Sequence, residues 1–179
     1  YKNDQTVSVE ALSILIQKID SLQINRRQRK SLIDKLITYD INVNKRSYKE
    51  KLVLTIALIQ VWNTGWNGTA TYEPKTRTMV LNGAKLKVLR TTQNPETIKH
   101  NLLRLLNPVS VTLIETSLSD LFHLSDMSLQ ELDIRGTKIK SLESINKFKQ
   151  LTTLILRPNQ ISKKDKTKIP QWVKVVYKN

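Results

Sequence analysis

Apolar residues along this chain fall at helical spacing up to about residue 62 and at strand spacing beyond it. Ser8 stands where a helix N-cap is expected, ahead of a stripe made by Ala11, Leu12, Leu15, Ile16, Ile19 and Leu22. Asn25 takes the same position ahead of a second helix that turns Leu32, Ile33, Leu36 and Ile37 inward. After a turn at Asp40–Asn44, Ser47 and Glu50 have the capping-box spacing, in which hydroxyl and carboxylate satisfy the first free backbone N–H groups of a helix. The helix they open runs to about Asn63 and is apolar on most sides, through Leu52, Val53, Leu54, Ile56, Ala57, Leu58, Ile59, Val61 and Trp62. A helix with no polar face belongs in the interior, so it is expected between the first two helices and whatever follows.

The glycines of Asn63-Thr64-Gly65-Trp66-Asn67-Gly68 break that helix, and the period of the pattern drops from about 3.6 residues to about 2. Thr69–Tyr72 and Arg77–Leu81 read as strands of a hairpin turning through Glu73-Pro74-Lys75-Thr76. From here the pattern recurs. Leu129, Leu132, Ile134, Thr137, Ile139, Leu142, Ile145 and Phe148 keep the spacing of a leucine-rich repeat. The same spacing returns one coil later at Leu151, Leu154, Leu156, Asn159 and Ile161, with the asparagine that such repeats favour. It also lies one coil earlier at Val111, Leu113, Thr116, Leu118, Leu121, Leu124 and Met127, with Pro108 in place of the first leucine. A fainter copy, Met79, Leu81, Ala84, Leu86 and Leu89, is followed by an insertion around Thr91–Asn101 and by Leu102–Leu106, which read as a short helix.

One such coil cannot bury its own apolar face, so coils must stack. Trp172–Val176 reads as a last strand that, with Trp172, seals the end of the stack. The expected fold class is therefore α+β: a three-helix domain over residues 1–62, then a leucine-rich-repeat solenoid of three to four coils over residues 63–179. A β-hairpin opens the solenoid and a C-terminal capping strand closes it.

Charge alters this picture in one respect. Thirty Lys and Arg against fifteen Asp and Glu leave a net +15 on 179 residues. The excess is spread, with 11 basic and 6 acidic groups in residues 1–68 and 19 and 9 in residues 69–179. Two dense clusters stand out, Arg26-Arg27-Gln28-Arg29-Lys30 and Lys163–Lys168. The first makes Arg26, Arg27, Arg29 and Lys30 a candidate polyanion patch, in the first turn of a helix where cations are electrostatically misplaced. No cysteine is present, so disulfides and thiolate metal sites are excluded. The longest nearly uninterrupted apolar run, Leu52–Trp62, is too short to cross a bilayer. The chain opens at Tyr1 without a signal-like segment and is expected to be part of a longer protein.

No catalytic constellation stands out, and no metal or cofactor is expected. His100 and His123 have no ligand-type spacing, Asp120 and Asp126 could pair across one return arm, and Ser144-Ile145-Asn146-Lys147 lacks supporting partners. The candidate binding face consists of the residues between the leucines of each strand. One column is Val80, Thr112, Asp133 and Ile155, and the next is Asn82, Ile114, Arg135 and Arg157, with its two arginines stacked. The opposing expectation is that so short a sheet packs against the N-terminal helices instead.

From Asn63 onward the chain resembles the C-terminal tails of large serine/threonine protein kinases of planctomycetes and Lentisphaerae. The resemblance is carried by Asn63-Thr64-Gly65-Trp66-Asn67-Gly68, Thr71-Tyr72 and Thr78-Met79-Val80-Leu81. It continues in Glu115-Thr116, Asp120-Leu121, Leu132-Asp133-Ile134-Arg135-Gly136-Thr137-Lys138-Ile139 and the closing Ile169–Val175. Thr64 for the usual proline, the insertion and the small number of repeats depart from the pattern, and the helical segment ahead of Asn63 matches no such tail. The resemblance implies a kinase upstream and a tail outside the cytoplasm or in the cell envelope, acting as a sensor or interaction module. A chain without that parent would be cytoplasmic. None of the kinase motifs lies in this chain, since Gly65, Gly68, Gly83 and Gly136 form no glycine-rich loop. Three readings follow: non-catalytic protein or peptide recognition, a basic adaptor for nucleic acid or another polyanion, and a self-associating module using Val80, Ile114 and Ile155.

Overall fold

The computed structural model describes residues 7–38, 45–90 and 101–179. The expected turn at 40–44, the insertion through residue 100 and His100 lie outside the described residues. The helix starts fall where the capping pattern puts them. In α1 (Val9–Ser21) the Ser8 hydroxyl accepts the Ala11 amide at 3.1 Å. In α2 (Arg26–Thr38) the Asn25 side-chain oxygen accepts the Arg27 amide at 2.7 Å. In α3 (Tyr48–Trp62) Ser47 and Glu50 close the reciprocal capping box.

The buried faces are rotated from the expected stripes. α1 buries Val9, Leu12 and Ile16, while Ala11, Leu15 and Leu22 are exposed. α2 buries Ile33 and Ile37 and leaves Leu32 outside. The reason is that α1 packs against α2 and α3 together, so its inner edge is set by two neighbours. α3 packs on α1 and on the first strand of the sheet, and buries Leu54, Ala57, Leu58, Ile59, Val61 and Trp62.

Asn63 joins the helices to the sheet. Its buried amide donates to the carbonyls of Ile59 and Val88 at 3.0 and 2.9 Å, and accepts from the amides of Lys87 and Val88 at 2.7 and 2.8 Å. Trp66 follows, buried, with its indole N–H donating to the Asn82 carbonyl at 3.0 Å. Gly68 lies so close beneath that a Cβ there would stand 1.8 Å from the same carbonyl oxygen. The Asn-x-Gly-Trp-x-Gly segment is thus a packing lock, in which a side chain at its last glycine has no room.

Six strands form one sheet in chain order, β1 (Ala70–Glu73), β2 (Thr78–Asn82), β3 (Ser110–Ile114), β4 (Glu131–Asp133), β5 (Thr153–Leu156) and β6 (Lys174–Tyr177). β1 and β2 are the antiparallel hairpin, and every later pairing is parallel. Parallel neighbours need a crossing segment between them. The described parts of these segments bury Leu86 and Leu89, then Leu118, Leu121 and Leu124, then Ile139, Leu142, Ile145 and Phe148. Met79, Val111, Leu132, Leu154 and Val175 are register partners in turn, and from Val111 onward they recur at an almost constant interval along the chain. The architecture is mixed α+β, with four helices among the described residues (the fourth, α4, is the short Lys163–Lys166) and a six-stranded sheet that does not close. One continuous set of buried side chains runs from Val9 to Val173.

Polar groups tie one crossing segment to the next at Thr116 and Gly136, and close a turn within its own segment at Thr137. The Gly136 carbonyl accepts the Thr116 amide at 2.6 Å, and a Cβ on Gly136 would stand 2.3 Å from the Leu113 oxygen. The Thr137 hydroxyl donates to the Ile134 carbonyl at 2.7 Å and accepts the Ile139 amide at 3.2 Å.

Three expectations are corrected. The polar bridge expected at Asn159 is made by Gln160, whose amide donates to the Ile134 carbonyl at 2.9 Å and accepts the Arg157 amide at 3.0 Å. Asn159 takes a left-handed backbone (φ 60°), which turns its own side chain out and the next one in. Leu102–Leu106 form hydrogen-bonded turns in place of a short helix, with Leu102, Leu103 and Leu106 buried. Trp172 does not seal the end of the sheet, since it is 58% exposed while Val173 beside it is buried. Consecutive residues entering a strand face opposite ways, and Val173 takes the inward position.

Candidate binding surfaces

The first column of the expected face is a register column. Val80, Thr112, Asp133 and Ile155 are successive partners, and Val176 extends the row. Asn82 and Ile114 are likewise paired, while Arg135 and Arg157 lie just past the ends of β4 and β5. Among the described residues, the substantial approach of a helix to the sheet is α3 against β1, the strand at one edge of the sheet. Accessibility along the face is uneven. Ile114 and Arg157 are exposed, Val80, Asn82, Thr112 and Arg135 are half-buried, and Asp133 and Ile155 are buried.

The electrostatics of the face differ from the expected pair of stacked arginines. Asp133 and Arg135 are two apart and so point to the same side. The Arg135 guanidinium folds back onto the Asp133 carboxylate, with Nε at 3.1 Å from both oxygens and Nη2 at 2.8 Å from one. Its Nη1 reaches the main-chain oxygen of Asn179 at 2.8 Å. These hydrogen bonds to Asp133 push the Arg135 pKa above the usual arginine value. Arg135 is thereby neutralised, and Arg157 is left as the outward cation. Together Thr112, Ile114, Asp133, Arg135, Arg157 and Asn179 border a shallow cleft of about 290 Å³.

The basic patch divides. Arg26, Arg27 and Lys30 line a second cleft, but Arg29 turns away and donates to the Leu22 carbonyl at 3.0 Å. Across that cleft stand Trp62 and Arg90, neither of which the sequence pattern marked, because no local periodicity joins them to α2. The acids at 120 and 126 are not a pair. Asp120 accepts the Phe122 amide at 2.8 Å, whereas Asp126 faces Arg90 at 3.7 Å and Asn101 at 3.4 Å. Burial holds the His123 pKa below the usual imidazole value, with Asp120 and Arg90 pulling in opposite directions. Among the described residues no group of three or more His, Asp or Glu is placed to hold a metal ion, and no helix is long and apolar enough to cross a membrane.

No family model, curated protein or solved structure matches this chain.

Proposed function

We propose that residues 63–179 are a small leucine-rich-repeat solenoid that recognises protein or peptide without catalysis, carried as the tail of a bacterial serine/threonine kinase-like protein. The solenoid reading is supported by the near-constant spacing of in-register parallel strands in chain order. The Gln160 side chain that bridges to the preceding coil, the Thr137 hydroxyl that closes its own turn, and leucines and isoleucines buried at matching positions point the same way. The observation that carries the binding reading is the pair of exposed residues Ile114 and Arg157, which flank the in-register row Val80–Thr112–Asp133–Ile155 on one side of the sheet. A surface with an apolar anchor beside a polar rim suits a short extended peptide with an acidic group for Arg157.

The test is selection of peptides from a display library on the whole chain, followed by titration of the selected peptides against variants. Ile114→Asp and Arg157→Ala should each weaken binding by about tenfold or more, while Lys149→Ala on a crossing segment should not. Selected binders indifferent to both face substitutions, or no binders at all, would sink the recognition reading. The kinase-tail reading is tested separately by the coding sequence upstream of Tyr1, where the absence of a kinase would remove it.

A further inference from the structure

A second site lies away from the sheet face and owes nothing to it. The start of α2, the end of α3 and the segment before residue 90 enclose a cleft of about 530 Å³. Arg26, Arg27, Lys30 and Arg90 line it over an apolar floor of Trp62 and Val88, and no acidic side chain among the described residues lines it. Three features of these cations run against what folding alone favours. The first turn of α2 holds no acidic residue although a helix N-terminus carries partial positive charge. Lys30 is held over the Trp62 ring, 5.0 Å from its centroid, half-buried and beside Arg26. Burial first, then the Arg26 charge, push its pKa down to about 8.

Arg90 is the fixed member. It is 6% exposed, its Nη1 donates to the Ser125 hydroxyl at 2.9 Å and its guanidinium lies 4.3 Å from the Phe122 ring centroid. Its Nε is enclosed without a hydrogen-bond partner and forms an ion pair with the Asp126 carboxylate at 3.7 Å. A guanidinium fixed by these contacts gives the cleft a wall that loses little further freedom when an anion binds beside it. Like charges crowded into a partly desolvated cleft destabilise the empty protein, and a multiply charged anion reverses that penalty.

We propose that this cleft binds a run of closely spaced phosphates, supplied by a single-stranded nucleic-acid backbone or by a free oligophosphate. The geometry favours phosphates over a single carboxylate, because two exposed guanidinium groups, an ammonium and a fixed guanidinium converge on one cleft. Forked N–H donors of arginine match phosphate oxygens in pairs. Trp62 is buried beneath Lys30 and so offers no stacking face to a base. Binding therefore depends on phosphate charge and not on sequence.

The experiment is fluorescence anisotropy of a labelled mixed-sequence single-stranded oligonucleotide with the whole chain, over a salt series, with sodium tripolyphosphate as competitor. If all four cations engage phosphate, affinity should fall about fiftyfold between about 50 and about 200 mM salt. The triple variant Arg26→Gln/Arg27→Gln/Lys30→Met should make the slope of log affinity against log salt shallower by about 2. Arg26→Gln/Arg27→Gln, both at exposed positions, serves if the triple variant does not fold, with a reduction of about 1.4 expected. The control Lys163→Gln/Lys164→Gln/Lys166→Gln removes as much charge from α4 and should leave the slope unchanged. Tripolyphosphate is also titrated directly by calorimetry: its competition together with oligonucleotide binding supports a backbone source, and its binding alone supports the free anion. Equal weakening by the control set would show diffuse attraction to a +15 protein and overturn the site, as would failure of both probes to bind at low salt.

Discussion

Replacing Asn63 by alanine should unfasten the helices from the sheet. The side chain makes four hydrogen bonds, and the four do not contribute equally. The Ile59 carbonyl also accepts the Asn63 main-chain amide at 2.9 Å, so losing the side-chain donor there costs little. The Lys87 and Val88 amides are different, since both depend on one Asn63 oxygen at 2.7 and 2.8 Å. A donor stranded away from water costs about 1–3 kcal/mol, and because Val88 is half-buried and Lys87 exposed the lower part of that range applies, which puts Asn63→Ala at about 2–4 kcal/mol for the two. For a chain of this size that corresponds to a fall in Tm of about 5–15 °C. Urea unfolding followed by far-UV circular dichroism and by tryptophan fluorescence measures it, with Trp62 and Trp66 on either side of the junction. Asn63→Asp keeps an acceptor but sets a second oxygen against two carbonyls. It should be the worse variant at neutral pH and should recover on acidification, when a protonated carboxyl regains a donor. A loss under about 1 kcal/mol for the alanine variant, or an aspartate variant as stable as the wild type at neutral pH, would refute the assignment.

Other substitutions probe other parts of the fold. Gly136→Ala drives a methyl against the Leu113 carbonyl and should destabilise by about 1–3 kcal/mol, read from the urea midpoint. Lys30 binds its proton less tightly folded than unfolded, so between about pH 8 and the ordinary lysine range the unfolded chain holds more protons and stability rises with pH. That rise should be smaller in Lys30→Met, and oligonucleotide affinity of the wild type should fall above about pH 8 as the charge facing Arg26 and Asp20 is lost. Asp165 is held well below the usual carboxylate range, chiefly by the Ser162 hydroxyl and then by Lys168. The stability it confers is present above the ordinary aspartate pKa and lost as pH falls through its folded value. Asp165→Asn should therefore flatten the acid limb of a pH–stability curve, and an unchanged limb would count against the α4 cap.

Much of the fold was legible because its determinants are local. Ser8, Asn25 and Ser47 with Glu50 mark helix starts through hydrogen bonds between near neighbours in the chain. The register Val80–Thr112–Asp133–Ile155 was legible because a strand's period of two, once anchored by the leucines, fixes every intervening residue. What escaped depends on angles that spacing does not encode. The inward edge of α1 is set by how two neighbours pack on it, and the exchange of Asn159 for Gln160 turns on one left-handed residue. Trp172 looked like a seal because large aromatic residues are usually buried, yet its place one residue before Val173 turns it outward.

The two surfaces show the same division at the level of charge. Reading Arg135 and Arg157 as a stacked pair followed from spacing alone, but the carboxylate two residues before Arg135 was in reach of it. A half-buried arginine beside a buried aspartate is held there, because leaving Asp133 unpaired in that environment would cost several kcal/mol. Of the two arginines, the sheet face consequently presents Arg157 outward, beside the exposed Ile114. In the α2 cleft the balance is reversed. Arg26, Arg27 and Lys30 were visible as a run in sequence, while Arg90, which gives the run a fixed opposite wall, is brought in only by the fold. The net charge of the chain is thus a poor guide to where an anion would sit. The deciding feature is where the fold gathers cations into one cleft that no acidic side chain lines among the described residues.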